Sequence, residues 1–203
     1  MMKNVMIAGV VALASGAMAS VYDNGAMDFL NGNEMTQWLQ TEDFVLSSSA
    51  NITGATFGLL NTFAGSNNSN WDGSLQWYIF DTNAGVPGNV IATGNAQNIQ
   101  ISFVGNVFWD FYDVSFSFGQ SVALNSGTTY HFGLHMAADY NSRDELYWAS
   151  TANNATQTGW ESDGGTMNNW SNNGVEHAFT LVPAPGALAL LGFGAVAGLR
   201  RRR

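Results

Sequence analysis

Two stretches decide the fold: Tyr112-Asp113-Val114-Ser115-Phe116-Ser117-Phe118 and Tyr130-His131-Phe132-Gly133-Leu134-His135-Met136. In both, large apolar side chains occupy every second position. Successive side chains of an extended strand point to opposite faces, so a period of two sets one apolar row against a core and the other row away from it. Ile99, Ile101 and Phe103 repeat the pattern against Gln100 and Ser102. Leu75, Trp77 and Ile79 begin another strand, with Tyr78 and Phe80 on its reverse face. The alternation places Ile101, Val114, Phe116, Phe132 and Leu134 in a common core and leaves Gln100, Ser115 and His135 more exposed.

Working outward, Met35 to Leu46, Ile52 to Phe63, Val90 to Thr93, Glu145 to Ala149 and Glu176 to Val182 read as further strands. Turns rich in Gly and Asn separate them at residues 65–70, 83–89, 125–127 and 153–174. No amphipathic helix and no internal repeat interrupts the series. The expectation is an all-β chain, a β-sandwich or jelly roll of about eight to ten strands. It forms one domain over residues 20–182.

The two ends have a different character. Lys3 precedes an apolar run from Val5 to Ala14, and Ala17-Met18-Ala19 supplies the small residues that signal peptidase accepts, so residues 1–19 read as a cleaved secretory signal. At the other end Pro183-Ala184-Pro185-Gly186 forms a turn, Ala187 to Leu199 is uncharged, and Arg200, Arg201, Arg202 and Arg203 close the chain. The apolar run makes a short hydrophobic helix of about 20 Å, a marginal span for a hydrocarbon core of about 30 Å. Arginines resist crossing and stay on the cytoplasmic side, so the tail enters a membrane transiently or as an anchor.

Charge separates the body from these segments. Five of the six basic residues lie in them, and the body carries fifteen acids against Arg143 alone, a net charge of −14. Such a surface repels phosphate backbones, which excludes nucleic acid as a partner. Cysteine is absent. A chain of this length buries a core without disulfides.

Candidate chemistry is sparse. His131 and His135 share one strand face but stand about 13 Å apart at four residues' rise, too far to share a zinc ion. They read as partly exposed, and His177 as isolated. Asp81-Thr82-Asn83-Ala84-Gly85 resembles the opening of an oxygen-rich calcium loop, with Asp81 and Asn83 as ligands, but no bidentate Glu follows at loop spacing, and as a turn between two strands the same residues need no metal. Asp72 and Asp163 are weaker ligand candidates. The carboxylates Asp110 and Asp113, three apart on one strand, point to opposite faces, and Glu42 and Asp43 are neighbours with the same defect for glycoside hydrolysis. Trp148, Trp160 and Trp170 border a stretch rich in Asn, Gly and Thr, where indoles beside amides suit a sugar platform. The alternative is that they pin a long loop to the sandwich.

Two resemblances follow from these residues. The Pro-containing turn, short apolar helix and terminal Arg cluster over residues 182–203 resemble the PEP-CTERM sorting signal, which implies processing by an exosortase in a bacterium that makes exopolysaccharide. Ala184 stands where the usual motif has glutamate, which leaves the exosortase subtype open. Trp77-Tyr-Ile-Phe-Asp81, Gly85-Val-Pro-Gly88, Val90-Ile-Ala-Thr-Gly94 and Leu124-Asn-Ser-Gly-Thr-Thr-Tyr130 are similar to secreted choice-of-anchor β-sandwich domains, a family that implies fold and location and supplies no catalytic residues. The expectation is an exported, non-enzymatic surface or matrix protein that meets signal peptidase and an exosortase-like enzyme. A carbohydrate-binding module retaining exopolysaccharide is the alternative, and a glycan-active hydrolase the third reading.

Overall fold

The computed structural model describes residues 20–152, 159–163 and 165–184. The signal segment 1–19 and the tail beyond Ala184 lie outside them. Among the described residues the regular structure is β1 (Tyr22–Asp23), β2 (Met27–Glu34), β3 (Trp38–Val45), β4 (Ala50–Asn61), β5 (Gln76–Asn83), β6 (Val86–Asn95), β7 (Gln97–Asn106), β8 (Asp110–Leu124), β9 (Thr129–His135), β10 (Leu146–Thr151), β11 (Trp160–Asp163), β12 (Trp170–Asn172) and β13 (Phe179–Pro183). No helix there is long and apolar enough to cross a membrane.

These strands form two antiparallel sheets around a shared core, a β-sandwich-like arrangement. The six-stranded sheet runs β12-β11-β3-β9-β5-β6. The seven-stranded sheet is built on β4, which pairs along one edge with β8, and β8 with β7. Its other edge forks: the first half pairs with β13 and the last three residues with β10. β13 carries β1 and β10 carries β2. At the fork the Gly58 amide donates to the Ala178 carbonyl at 3.0 Å. A side chain on Gly58 would strike Met27 Cγ at 2.3 Å and Ala149 Cβ at 3.2 Å, so glycine lets three segments meet.

The alternating apolar rows form the core as expected. Val114, Phe116, Phe132 and Leu134 are buried together with Phe57, Trp77, Phe118, Trp148 and Phe179. Trp77 stacks on Phe118 at 4.1 Å, and Phe132 meets Phe179 at 5.2 Å and Trp148 at 5.7 Å.

The structure departs from the alternation in places. Ile101 is 41 % exposed. It pairs with the core residue Val114, but β7 is the outermost strand of its sheet and the facing sheet does not cover it. Met27–Glu34 forms a strand with no apolar alternation to announce it. The turn at 83–89 narrows to Ala84 and Gly85, because β6 already begins at Val86. Residues 153–174, read as a loop, contain β11 and β12. Among the described residues thirteen strands, from two to fifteen residues long, therefore replace the eight to ten anticipated.

Candidate functional site

The interior is apolar at one end and polar at the other, and β3 shows where it changes. Phe44 packs in the core, while Glu42 and Gln40, two and four residues earlier on the same face, are fully buried. Glu42 Oε2 accepts the His177 backbone N–H at 2.9 Å and lies 2.9 Å from His177 Nδ1. His177 Nε2 stands 3.1 Å from Asn33 Oδ1 on β2. His177 bridges to Ser150 at the fork, so these contacts tie the two sheets together through their interior. Asn24 Nδ2 donates to the His177 carbonyl at 2.9 Å, and Tyr22 donates to Asn24 Oδ1 at 2.8 Å.

Proton placement in this link follows from the partners. An amide oxygen only accepts, so Nε2 carries a proton toward Asn33. Burial holds the imidazole down at about 3, hence neutral, and Nδ1 is then an acceptor. Burial, reinforced by the charge of Glu176, pushes Glu42 up to about 9. Glu42 is therefore a protonated acid that donates from Oε2 to Nδ1. Both side chains are wholly enclosed, and no substrate reaches them. His177 is thus partnered on both ring nitrogens, against the expectation of isolation.

The other histidines are also enclosed, where the alternation left them partly exposed. His135 Nε2 lies 2.6 Å from the Thr36 carbonyl and its ring stacks on Tyr140 at 3.7 Å. His131 Nε2 lies 3.3 Å from Thr82 Oγ1, and burial lowers its pKa to about 4. They belong to the outer face of the six-stranded sheet, which carries a second small core of Leu39, Tyr78 and Phe80. Gly133 between the two histidines makes room for it: a side chain there would meet Phe80 at 3.0 Å and Thr41 at 3.2 Å.

The three candidate tryptophans have separate fates. Trp148 is 0 % exposed and donates Nε1–H to the Ala178 carbonyl at 3.0 Å, so it offers no face to a sugar. Trp170 lies on β12, with β11, β3 and β9 between it and β5. Its ring is nonetheless 5.4 Å from Phe80 on β5, so the β11–β12 end of the sheet folds back over its own outer face. With Tyr140 and Met167 it covers the small core. Trp160 is half-buried and pairs with Thr41 on one side and Asn172 on the other. Directly opposed residues share a face, so an indole stands between a hydroxyl and an amide there.

These placements separate anchor from platform. Trp170→Ala is expected to lower stability by about 2 kcal/mol, roughly half the cost of a fully buried indole, read as a lower urea midpoint. Trp160→Ala is expected to cost less. An unchanged midpoint in both variants, with loss of retention on exopolysaccharide, would make the pair a sugar platform.

The calcium candidates serve the β5–β6 hairpin. Asp81 accepts from the Asn89 backbone N–H at 2.6 Å and from Asn89 Nδ2 at 3.2 Å, while Asn83 is exposed at the end of β5. Asp72 accepts from Ser74 N–H at 2.7 Å and Ala138 N–H at 2.9 Å, and Asp163 lies exposed at the end of β11. Among the described residues no three His, Asp or Glu side chains gather as metal ligands. Asp110 is buried and Asp113 exposed, on opposite faces of β8 as their spacing requires. Asp110 accepts from Asn106 Nδ2 at 2.7 Å and Gly65 N–H at 2.6 Å, and these bonds hold its pKa low.

Of the sorting motif, Pro183 closes β13 in register with Ile52, and the Ala184 amide donates to the Asn51 carbonyl at 2.8 Å. Pro185, Gly186 and Arg200 to Arg203 lie outside the described residues. No model of a known protein family matches the chain. No curated protein matches it either.

Proposed function

We propose that the chain is an exported, non-enzymatic protein of the cell surface or extracellular matrix, reaching its place through a membrane-anchored precursor that an exosortase-like enzyme processes. The observation that carries the reading is the order of the C-terminal segment: Pro183-Ala184-Pro185-Gly186, then thirteen uncharged residues, then four arginines. An apolar run stopped by a basic cluster holds a translocating chain with its end on the cytoplasmic side. The signal-like N-terminus supplies entry to the same route. The body's single base and fifteen acids suit a secreted, highly hydrated surface.

Pro183 and Ala184 pair with the start of β4, so the first two residues of the motif belong to the folded body. Tyr22 pairs with Leu181, so the mature N-terminus lies at the same end of the sheet. Replacing Arg200 to Arg203 with serine is expected to abolish retention of the precursor, read by fractionating pulse-labelled cells. Unchanged retention and processing in that variant would count against the route.

A further inference from the structure

We infer that two copies of this chain associate side by side, β7 of one pairing antiparallel with β7 of the other. The residues from Thr82 to Trp109, twenty-eight in number, contain no charged side chain, in a body whose fifteen acids all lie elsewhere. They form β6 and β7, consecutive strands that are edges of different sheets. The chain crosses between the sheets at Ala96, whose amide donates to the Leu75 carbonyl at 2.8 Å. Gln120 Nε2 on β8 donates to the Thr93 carbonyl on β6 at 3.2 Å. Both edges therefore lie on one side of the sandwich, and the two edge strands themselves carry no charge, the nearest acids being Asp81, Asp110 and Asp113 on the strands behind them.

β7 is the long edge with neither charge nor proline. It pairs with β8 alone, so its outer row of backbone donors and acceptors matches another strand. Natural edges are blunted by charge, proline or shortness. β2 carries Asp28 and Glu34, β6 carries Pro87, and β1 and β12 have two and three residues. β7 has ten residues and neither charge nor proline; its register on β8 breaks between Gln97 and Gln100 and between Phe103 and Gly105, so the regular stretch a partner strand would meet is Gln100 to Phe103. Around it Phe103 is 59 %, Val104 43 %, Val107 55 % and Phe108 79 % exposed, with Ile101 beside them.

The occupant that fits is a second copy. Two bodies of net −14 repel one another, and approach along the uncharged 82–109 edge keeps their acids a strand further apart than approach along β2, which carries Asp28 and Glu34. A two-fold axis across β7 sets each apolar residue against the same set and closes the assembly at two copies. The exposed parts of the five apolar residues amount to roughly 500 Å² per copy, so they can contribute at most about 1,000 Å² to the pair, the size at which specific interfaces begin, with backbone pairing added to it. The acids that border it, Asp81 bonded to Asn89 and Asp110 bonded to Asn106, are held by β6 and β7 themselves, and exposed Asp113 stands one strand in, opposite Ser102.

The test is the mass of the exported chain, recovered as cells produce it, by sedimentation velocity from 1 to about 100 µM. Concentration-dependent doubling is expected. Ile101→Lys with Val104→Lys is expected to weaken association at least 100-fold, leaving monomer throughout, with the far-UV spectrum of the parent. Phe108→Ser gives the same readout without a charge on the strand, should the lysines disturb folding. Leu30→Lys, which replaces a 65 % exposed leucine on β2, is expected to leave the dimer intact. A parent that stays monomeric overturns the inference. So does association that survives the lysines, as contact through the C-terminal segments would, or growth into open-ended assemblies. Cosedimentation with neutral phospholipid vesicles in place of doubling overturns it as well.

Discussion

Phe132→Ala is expected to destabilise the domain by about 3–5 kcal/mol, the cost of deleting a buried aromatic ring and leaving its cavity. The ring is 0 % exposed. It touches Phe118 at 6.2 Å, Phe179 at 5.2 Å and Trp148 at 5.7 Å, residues drawn from three strands of the opposite sheet. Backbone pairing on both sides holds those strands in place, so they close only partly over the gap. For a domain of this size the loss corresponds to a fall in Tm of about 10 °C. Leu30→Ala, at an exposed position, is expected to stay within about 0.5 kcal/mol. Equal effects from the two substitutions in urea or thermal denaturation would contradict the shared core.

The second large effect is on the dependence of stability on pH. Glu42 has a folded pKa of about 9 against an ordinary value of 4.5, so its contribution is full below 4.5 and is lost as pH rises toward 9. The histidines act in the opposite sense. His177 at about 3 and His131 at about 4, with His135 also lowered by burial, contribute fully above 6.5 and lose that contribution as pH falls. Between 4.5 and 6.5 the unfolded chain binds more protons at three histidines than the folded chain retains at Glu42, so stability rises with pH. From 6.5 to about 8 the Glu42 contribution dominates; closer to 9 Tyr22, Tyr78, Tyr112, Tyr140 and Tyr147, all raised by burial, begin to add a decline of the same sign.

Stability should therefore peak near pH 6.5 and decline on both sides. The alkaline limb approaches the slope of one proton, about 1.4 kcal/mol per pH unit. The body contains no lysine to obscure that limb. Glu42→Gln is expected to remove most of the decline between pH 6.5 and 8 and to keep the acid limb, measured as Tm against pH. A parent stable without change from pH 6.5 to 8, or a Gln variant that declines as steeply as the parent over that range, would contradict the protonated acid. Glu42→Ala leaves two groups of His177 without an acceptor or donor in the interior and is expected to cost several kcal/mol.

What the sequence made legible followed from strict alternation. Tyr112 to Phe118 and Tyr130 to Met136 identified β8 and β9 and most of the inward row. The same rule failed where a strand hides polar groups. On β3 Gln40 and Glu42 point inward, whereas Leu39 points outward beneath Trp170, so its alternation reads with the faces exchanged. The rule also failed for Ile101, where the inward row runs past the edge of the facing sheet. A period of two names the face of a residue. It does not say how far the opposite layer extends.

The candidate chemistry was legible by residue type and not by partner. His177 and Glu42 are 135 residues apart and Asn33 is 144 from His177, so only the pairing of the sheets brings them together. Trp170 met Phe80 because the β11–β12 end folds over, a contact that no local pattern encodes. The turn-like character of Asp81 was readable because Asn89, its partner, is only eight residues away.

The most direct test of the proposed export and processing is the intact mass of the protein recovered from the cell exterior. The account predicts a chain that begins at Ser20 and ends soon after Pro185, lacking the apolar run and all four terminal arginines. A mature surface protein that still carries Ala187 to Arg203 would contradict it and leave the segment as a simple anchor.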